Sequence, residues 1–165
     1  MKSSIEIIDF KSKSAPQHFI NSLKNTGFAV VMNHGISSTL IDEVYSEWSD
    51  FFNSKEKFNY KFDLEKQDGY FPMKSENAKG YSIKDLKEFY HIYLPWGRVP
   101  QNISENVLSL RKNLKNIGIS LLEWINEYSP DEITSLFSIP LNKMIEGSNN
   151  NLLRIIHYPP LTGEE

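Results

Sequence analysis

The residues with the clearest potential for chemistry lie near the end of the sequence. The segment from residue 152 to residue 158 predicts a strand in which Arg154 and Tyr158 share one face, two same-face positions apart. An arginine guanidinium is a planar fork of donors and a tyrosine supplies a hydroxyl, so the pair could converge on a carboxylate. On the pattern alone, a surface ion pair and a tyrosine at the edge of the core are the simpler interpretation.

Histidine is the other residue type that could do chemistry, and it occurs at positions 18, 34, 91 and 157. No histidine is followed two residues later by an acid, none belongs to an H-x-x-x-H pair, and the chain has no cysteine. The sequence therefore shows no complete metal site, and each histidine is interpreted as a structural or surface residue. No G-x-S-x-G, P-loop or G-x-G-x-x-G motif supports a hydrolase or a nucleotide-binding protein.

Composition narrows the class of protein. The 165 residues are 39% hydrophobic, 13% aromatic and 24% charged, as in a globular domain. A formal net charge of -3 argues against nucleic acid as a partner. No apolar run approaches the roughly 18 residues that span a bilayer, so no membrane association is expected. The N-terminus lacks a signal-peptide pattern, and we expect a cytoplasmic protein.

The elements that must position these residues begin with a short strand over residues 5–10. A helix follows over residues 14–26, with Ser14 as N-cap and Gly27 just past its end. The apolar run over residues 28–32 predicts a buried strand, which a turn at residues 33–35 closes.

Further along, a helix capped by Ser37 or Ser38 is predicted. Its one apolar face is made by Leu40, Ile41, Val44, Tyr45, Trp48, Phe51 and Phe52. Residues 67–72 read as a turn-rich loop and residues 88–94 as a strand. A long core-facing helix is predicted over residues 104–128, and residues 129–132 resemble a capping box. The final strand has no partner later in the chain.

Five stretches, in this order, resemble the isopenicillin N synthase-like family of nonhaem iron oxygenases, and most closely its bacterial 2-oxoglutarate and Fe(II)-dependent members. They are Gly27-Phe-Ala-Val-Val-Met-Asn-His-Gly-Ile36, Phe51-Phe52 with Ser54-Lys-Glu-Lys57, Asp68-Gly-Tyr-Phe-Pro72, Asp85-Leu-Lys-Glu-Phe-Tyr-His91 and Arg154-Ile-Ile-His-Tyr-Pro-Pro160. The resemblance implies an α+β chain whose residues 1–165 form an N-terminal helical region and the first strands of a double-stranded β-helix, or jelly roll. The rest of the jelly roll would follow residue 165.

The resemblance also implies cofactors. In the family, Fe(II) sits on an H-x-D motif with a distal histidine, and an R-x-S motif binds 2-oxoglutarate. All of these residues would follow residue 165, so no catalytic residue and no metal ligand is assigned within the chain. The family's N-x-Y tyrosine aligns with Tyr158, which would contact the carboxylate of 2-oxoglutarate or of the substrate. Ile156 stands at the asparagine position, and Arg154 shares the face without a defined family role.

These expectations combine into an oxygenase that oxidises a C–H bond of a small-molecule substrate when joined to its C-terminal half. The chain alone is expected neither to bind Fe(II) tightly nor to turn over 2-oxoglutarate. Two alternatives remain at this point. The chain could be a split-gene product or a noncatalytic remnant that needs a separate C-terminal half, or it could belong to an isopenicillin N synthase-type oxidase that uses no 2-oxoglutarate.

Overall fold

The computed structural model describes residues 5–77, 79–160 and 163. It combines helices with sheets, as the sequence predicts. The strands are β1 (Ile7–Asp9), β2 (Val30–Met32), β3 (Gly69–Phe71), β4 (Glu88–Ile92) and β5 (Leu153–His157). The helices are α1 (Ala15–Thr26), α2 (Ser38–Asn53), a 3-10 helix (Glu56–Tyr60), α3 (Asn106–Tyr128), α4 (Asp131–Thr134) and α5 (Lys143–Glu146). In the described part of the chain, no helix is both long enough and apolar enough to span a bilayer.

The chain divides into two compact units, Met1–Ile41 with Leu108–Ser148, and Asp42–Val107 with Asn149–Glu165. In the first unit, β1 and β2 pair in parallel, with Ile8 opposite Val31. Ile8, Ala15 and Phe19 form the core of this unit, and Trp124 of α3 packs against it. Helix α1 ends as predicted at Gly27, whose left-handed conformation (φ 76°) aims its N–H at the Leu23 carbonyl 2.8 Å away.

The prediction of a buried second strand is wrong. Phe28, Val30 and Met32 are 67%, 47% and 47% exposed, while Val31 packs on the core of the first unit. A two-stranded sheet covered on one face buries only alternate residues, however apolar the run.

Helix α3 has the predicted position, but only part of its apolar stripe is buried. Leu121, Trp124 and Ile125 pack on the core of the first unit, whereas Leu114 is 46% exposed. The predicted capping box at residues 129–132 is wrong, because the Ser129 hydroxyl donates to the Ile125 carbonyl at 2.6 Å instead of capping α4.

The second unit is built on a three-stranded antiparallel sheet in the order β3-β4-β5. The buried side chains of α2 are Val44, Trp48, Phe51 and Phe52, and the Trp48 ring lies 5.2 Å from that of Tyr90. Tyr45, predicted on the same apolar face, is 72% exposed.

One prediction is corrected in this sheet. Strand β3 (Gly69–Phe71) lies inside the predicted loop. The sequence did not indicate this strand, because three residues directly before a proline are too few to show an alternation of apolar and polar side chains. Strand β5, which has no partner later in the sequence, pairs with the earlier strand β4 from Leu153 opposite Ile92 to His157 opposite Glu88. Its other edge has no partner strand among the described residues.

Candidate functional site

The three-stranded sheet has two chemically different faces. Alternation along the strands puts Tyr70, Glu88, Tyr90 and His157 on one face, where Tyr90 meets the aromatic side chains of α2. The other face carries Phe71, Phe89, His91, Arg154 and Ile156 and is called the Arg154 face below. The alternation that predicts one face for Arg154, Ile156 and Tyr158 is therefore confirmed for Arg154 and Ile156, whereas Tyr158 lies beyond the end of β5.

Arg154 is held by two neighbours on this face. Its Nε donates a hydrogen bond to Nε2 of His91 at 2.7 Å. Its guanidinium carbon lies 4.5 Å from the centroid of the Phe89 ring, a cation–π contact. Phe89 itself stacks on Phe71 with 4.3 Å between ring centroids. Within the described residues no carboxylate lies within ion-pair distance of Arg154, so this part of the structure does not support a surface ion pair for this residue.

His91 is the buried partner that fixes Arg154. It is 8% exposed, and burial followed by the charge of Arg154 lowers its pKa to about 4, against a smaller opposing hydrogen bond with the backbone of Gln67. The ring is therefore neutral at physiological pH. Because Nε2 accepts from Arg154, the ring proton lies on Nδ1, where it is available to the Gln67 carbonyl.

The low pKa of His91 predicts a pH dependence of stability. Between pH 6.5 and about 4 the unfolded chain binds a proton at His91 that the folded chain does not, so stability falls as the pH is lowered through this window. The expected loss is on the order of 3 kcal/mol. His91→Gln keeps an acceptor for Arg154 but does not titrate, so its urea-unfolding free energy should change less across this window. An equal dependence of the unfolding free energy on pH in wild type and His91→Gln would contradict the lowered pKa of His91.

Tyr158 lies just beyond the end of β5 and is 67% exposed. It lines an open groove of about 500 Å³ together with Lys84, Asp85, Leu86, Lys87 and Pro159. A strand rise of about 3.3 Å per residue separates its Cα from that of Arg154 by roughly 13 Å. The structure thus gives the two side chains different neighbours, and it shows no contact that joins them. The predicted contact of Tyr158 with a carboxylate stays a prediction.

The positive charge of Lys87 in this groove is already compensated. Its Nζ lies 2.8 Å from Asp85 and 3.3 Å from Glu76. The hydrogen bond with Asp85 is the main cause that raises the pKa of Lys87. Lys87 therefore differs from Arg154, whose contacts are with neutral rings.

A second polar cluster fills the opposite face of the sheet. The buried carboxylate of Glu88 accepts from Lys57 at 2.8 Å and from the Tyr70 hydroxyl at 2.5 Å through Oε2, and from His157 at 2.8 Å through Oε1. Burial by itself would raise the pKa of Glu88, but the three donors together hold it below its ordinary value. Burial also raises the pKa of Tyr70. His157 further stacks on Phe52, with 5.4 Å between ring centroids, so it has a structural role.

Asp68 forms the third polar cluster, with Arg98. Asp68 is fully buried, and its carboxylate accepts from Nη2 of Arg98 at 2.8 Å and from Nε at 3.1 Å. Arg98 also donates to the Lys61 carbonyl at 2.9 Å, which ties the loop before β3 to the segment after β4.

Sequence reasoning missed both the Glu88 and the Asp68 clusters. The signal in the sequence was an acidic residue next to apolar ones. Glu88 stands at the start of a buried strand, and Asp68 stands directly before Gly69. Carboxylates are almost never fully buried without partners, so such positions predict a hidden donor.

The remaining histidines, His18 and His34, both belong to the first unit. His18 pairs with Glu6 at the surface, and His34 accepts from the N–H of Ile36 at 3.2 Å within the turn after β2. Throughout the part of the chain that the structure describes, no three His, Asp or Glu side chains are grouped as a metal site requires. The described residues therefore do not fit an iron site by themselves.

Comparison with known proteins agrees with the resemblance found in the sequence. Residues 5–113 match the family model described as the N-terminal region of the non-haem dioxygenase in morphine synthesis. The oxoglutarate-dependent flavonoid 7-O-demethylase 1 of Ocimum basilicum is 26% identical over 177 aligned residues, covering 96% of this chain and 45% of that protein.

Solved structures agree with this match. The crystal structure of a proposed oxygenase from Shewanella oneidensis has a TM-score of 0.85 and 45% identity, covering 99% of this chain and 57% of that one. A proposed 2OG-Fe(II) oxygenase family protein from Caulobacter crescentus has a TM-score of 0.71 and 26% identity, covering 98% of this chain and 58% of that one. The chain thus spans about half the length of these relatives. It belongs to the non-haem dioxygenase family, and it matches the N-terminal region of that family.

Proposed function

We propose that this chain is the N-terminal part of a 2-oxoglutarate and Fe(II)-dependent oxygenase that oxidises a C–H bond of a small molecule. The observation that carries the proposal is the family match over residues 5–113, joined with relatives of which the chain spans about half. In this proposal residues 1–165 supply the N-terminal helices and the first strands of a jelly roll.

Two surfaces support the presence of further strands. In the first unit, the β1–β2 sheet has an exposed apolar surface, made by Ile7, Val30 and Met32 on the strands and by Phe28 just before β2. In the second unit, the outer edge of β5 has no partner strand among the described residues. Exposed apolar sheet surfaces and free strand edges normally need a cover, and a C-terminal half would provide it.

In this proposal the Fe(II) ligands come from outside the described residues, because those residues offer no three-ligand cluster. Iron and 2-oxoglutarate would supply the oxidising chemistry in the complete protein. The contribution of this chain would be to bind and orient. Tyr158 would hold a carboxylate of 2-oxoglutarate or of the substrate, and Glu88 would anchor the end of β5 next to Tyr158 through His157.

A split-gene product or a noncatalytic remnant is the second candidate, and the free edge of β5 favours it because such an edge can recruit a separate chain. An oxidase that uses no 2-oxoglutarate is the third, since Ile156 replaces the asparagine of the family motif.

The coding sequence after codon 165 separates these candidates. An in-frame H-x-D motif, a distal histidine and an R-x-S motif would support the 2-oxoglutarate oxygenase. A stop codon would favour the split-gene product or remnant. Iron ligands without the R-x-S motif would favour the oxidase.

The purified 165-residue chain gives a direct biochemical prediction. We expect no Fe(II) binding in the micromolar range by calorimetry under anaerobic conditions, and no succinate release from 2-oxoglutarate when air is admitted. Iron binding in that range together with succinate release would show that the chain is catalytically complete and would overturn the proposal.

A further inference from the structure

The positive charge on the Arg154 face has different partners from two other cations of the second unit, Arg98 and Lys87. Arg98 gives its fork to the fully buried carboxylate of Asp68, and Lys87 is bracketed by Asp85 and Glu76. Arg154 instead contacts a neutral imidazole and the Phe89 ring, which stacks in turn on Phe71. Its charge is the uncompensated one among these three cations, as judged from the described residues.

The orientation of Arg154 is also fixed. Its Nε is occupied by His91, and the Phe89 ring lies against the guanidinium carbon. His91 is itself buried, with a second hydrogen bond to the backbone of Gln67. Nε and one side of the plane are taken, whereas the two Nη groups have no hydrogen-bond partner among the described residues. The side chain therefore loses little further freedom when it binds a ligand.

We propose that the Arg154 face is a carboxylate-binding site, in which Arg154 makes the ionic contact and His91 is the residue that positions it. The apolar surroundings, with Phe71, Phe89 and the 42% exposed Ile156, suit a carboxylate attached to an apolar or short aliphatic body. The two Nη groups match the two carboxylate oxygens of such a charge-assisted contact, and Arg154 is exposed, so a ligand can reach it from solvent. The inference deepens the proposed function, on which it rests for the biological source of the carboxylate.

Two sources share this chemistry, the 2-oxoglutarate co-substrate and a carboxylate of the primary substrate. NMR titration of the 165-residue chain can separate them, because the chain has three arginines and so gives three Nε–H signals. The Arg154 signal is identified by its loss in Arg154→Lys. The titrants are 2-oxoglutarate, 3-phenylpropionate and the uncharged 3-phenylpropanamide, all at constant ionic strength.

We expect both carboxylates to shift the Arg154 Nε–H signal to saturation, and the amide to leave it in place. The Arg98 signal serves as an internal control, because its fork is occupied by Asp68. Tighter binding of 2-oxoglutarate would identify the co-substrate as the source, and tighter binding of 3-phenylpropionate would identify a substrate carboxylate. A shift that is linear in ligand, or equal for the amide, would overturn the site.

Variants test the positioning role of His91. His91→Leu removes the acceptor and should weaken carboxylate binding about tenfold, as the loss of one oriented ionic hydrogen bond would. His91→Gln keeps an acceptor and should stay near the wild-type Kd, and Lys55→Gln on the surface is the matched control. An unchanged Kd in a folded His91→Leu chain would overturn the positioning role.

If His91→Leu does not fold, the wild-type titration and His91→Gln still decide the proposal. Binding is measured without turnover. A negative titration would therefore leave the oxygenase proposal intact, and a failed search for downstream iron ligands would leave the carboxylate site intact.

Discussion

Replacing Glu88 by alanine is expected to lower the free energy of unfolding by about 3–5 kcal/mol, the usual result of breaking a buried ionic cluster. The carboxylate is 3% exposed and collects donors from Lys57, Tyr70 and His157. Its removal leaves the buried Tyr70 hydroxyl without its acceptor. It also leaves the largely buried Lys57 ammonium without its counter-charge, with the Phe52 carbonyl as the acceptor that remains. Urea unfolding followed by tryptophan fluorescence would measure the change.

Two controls make the Glu88 result specific. Glu65→Ala removes an exposed carboxylate and should change stability by less than about 0.5 kcal/mol. Glu88→Gln keeps the size of the side chain and one acceptor oxygen, so its loss should be smaller than that of Glu88→Ala. A loss below about 1 kcal/mol for Glu88→Ala would show that the cluster is not a stabilising unit.

The cluster around Glu88 also predicts acid sensitivity. The folded-state pKa of Glu88 lies below its ordinary value of 4.5, so the stability that its charge provides is complete above pH 4.5 and is lost as the pH falls through the folded value. This window lies below most of the His91 window. In a plot of the free energy of unfolding against pH, His91→Gln should therefore reduce the slope between pH 6.5 and about 4, and Glu88→Gln should reduce it below pH 4.5.

Replacing Asp68 by alanine is expected to have an effect of similar size, about 3–5 kcal/mol. Asp68 is fully buried and accepts from both Nε and Nη2 of Arg98 and from the Arg98 backbone N–H. Alanine would remove the acceptor of the Arg98 backbone N–H and of its Nε, and with it the counter-charge of the guanidinium. The hydrogen bond from Nη2 to the Lys61 carbonyl would remain. Urea unfolding at pH 7 measures the change.

Asp50→Ala, an exposed position on α2, is the matched control for Asp68 and should stay within about 0.5 kcal/mol of wild type. The double variant Asp68→Ala with Arg98→Met tests the pair itself. Because the second change removes the unpaired cation, it should cost less in the Asp68→Ala background than alone. Additive losses would contradict a direct coupling between the two residues.

Much of the local structure could be predicted from the sequence because local signals are strong there. Helix α1 ends at Gly27 as predicted, since that residue takes the left-handed conformation at low cost. The position of α2 and most of its buried face follow from spacing of 3.6 residues. The ordered set of motifs was sufficient to identify the family, because their order along the chain is harder to match by chance than any single motif.

The site was less predictable, because the partners of its residues are distant in sequence. Strand alternation put Arg154 on the right face, but not beside His91, which is 63 positions away. His91 looked like an ordinary strand residue, and only the register of β4 with β5 made it the acceptor for Arg154. Similarly, nothing local in the sequence shows that Glu88 meets Lys57, Tyr70 and His157.

The sequence by itself determined the family, the main helices and the alternation that separates Arg154 from His157. The tertiary structure alone decided which charges are paired. Hydrophobic spacing acts within one element and is visible in a short window, whereas the desolvation of a charge depends on atoms brought from several elements. Arg98 and Arg154 are the same residue type in the same unit, yet folding neutralises the first with a buried carboxylate and leaves the second against a neutral histidine and an aromatic ring.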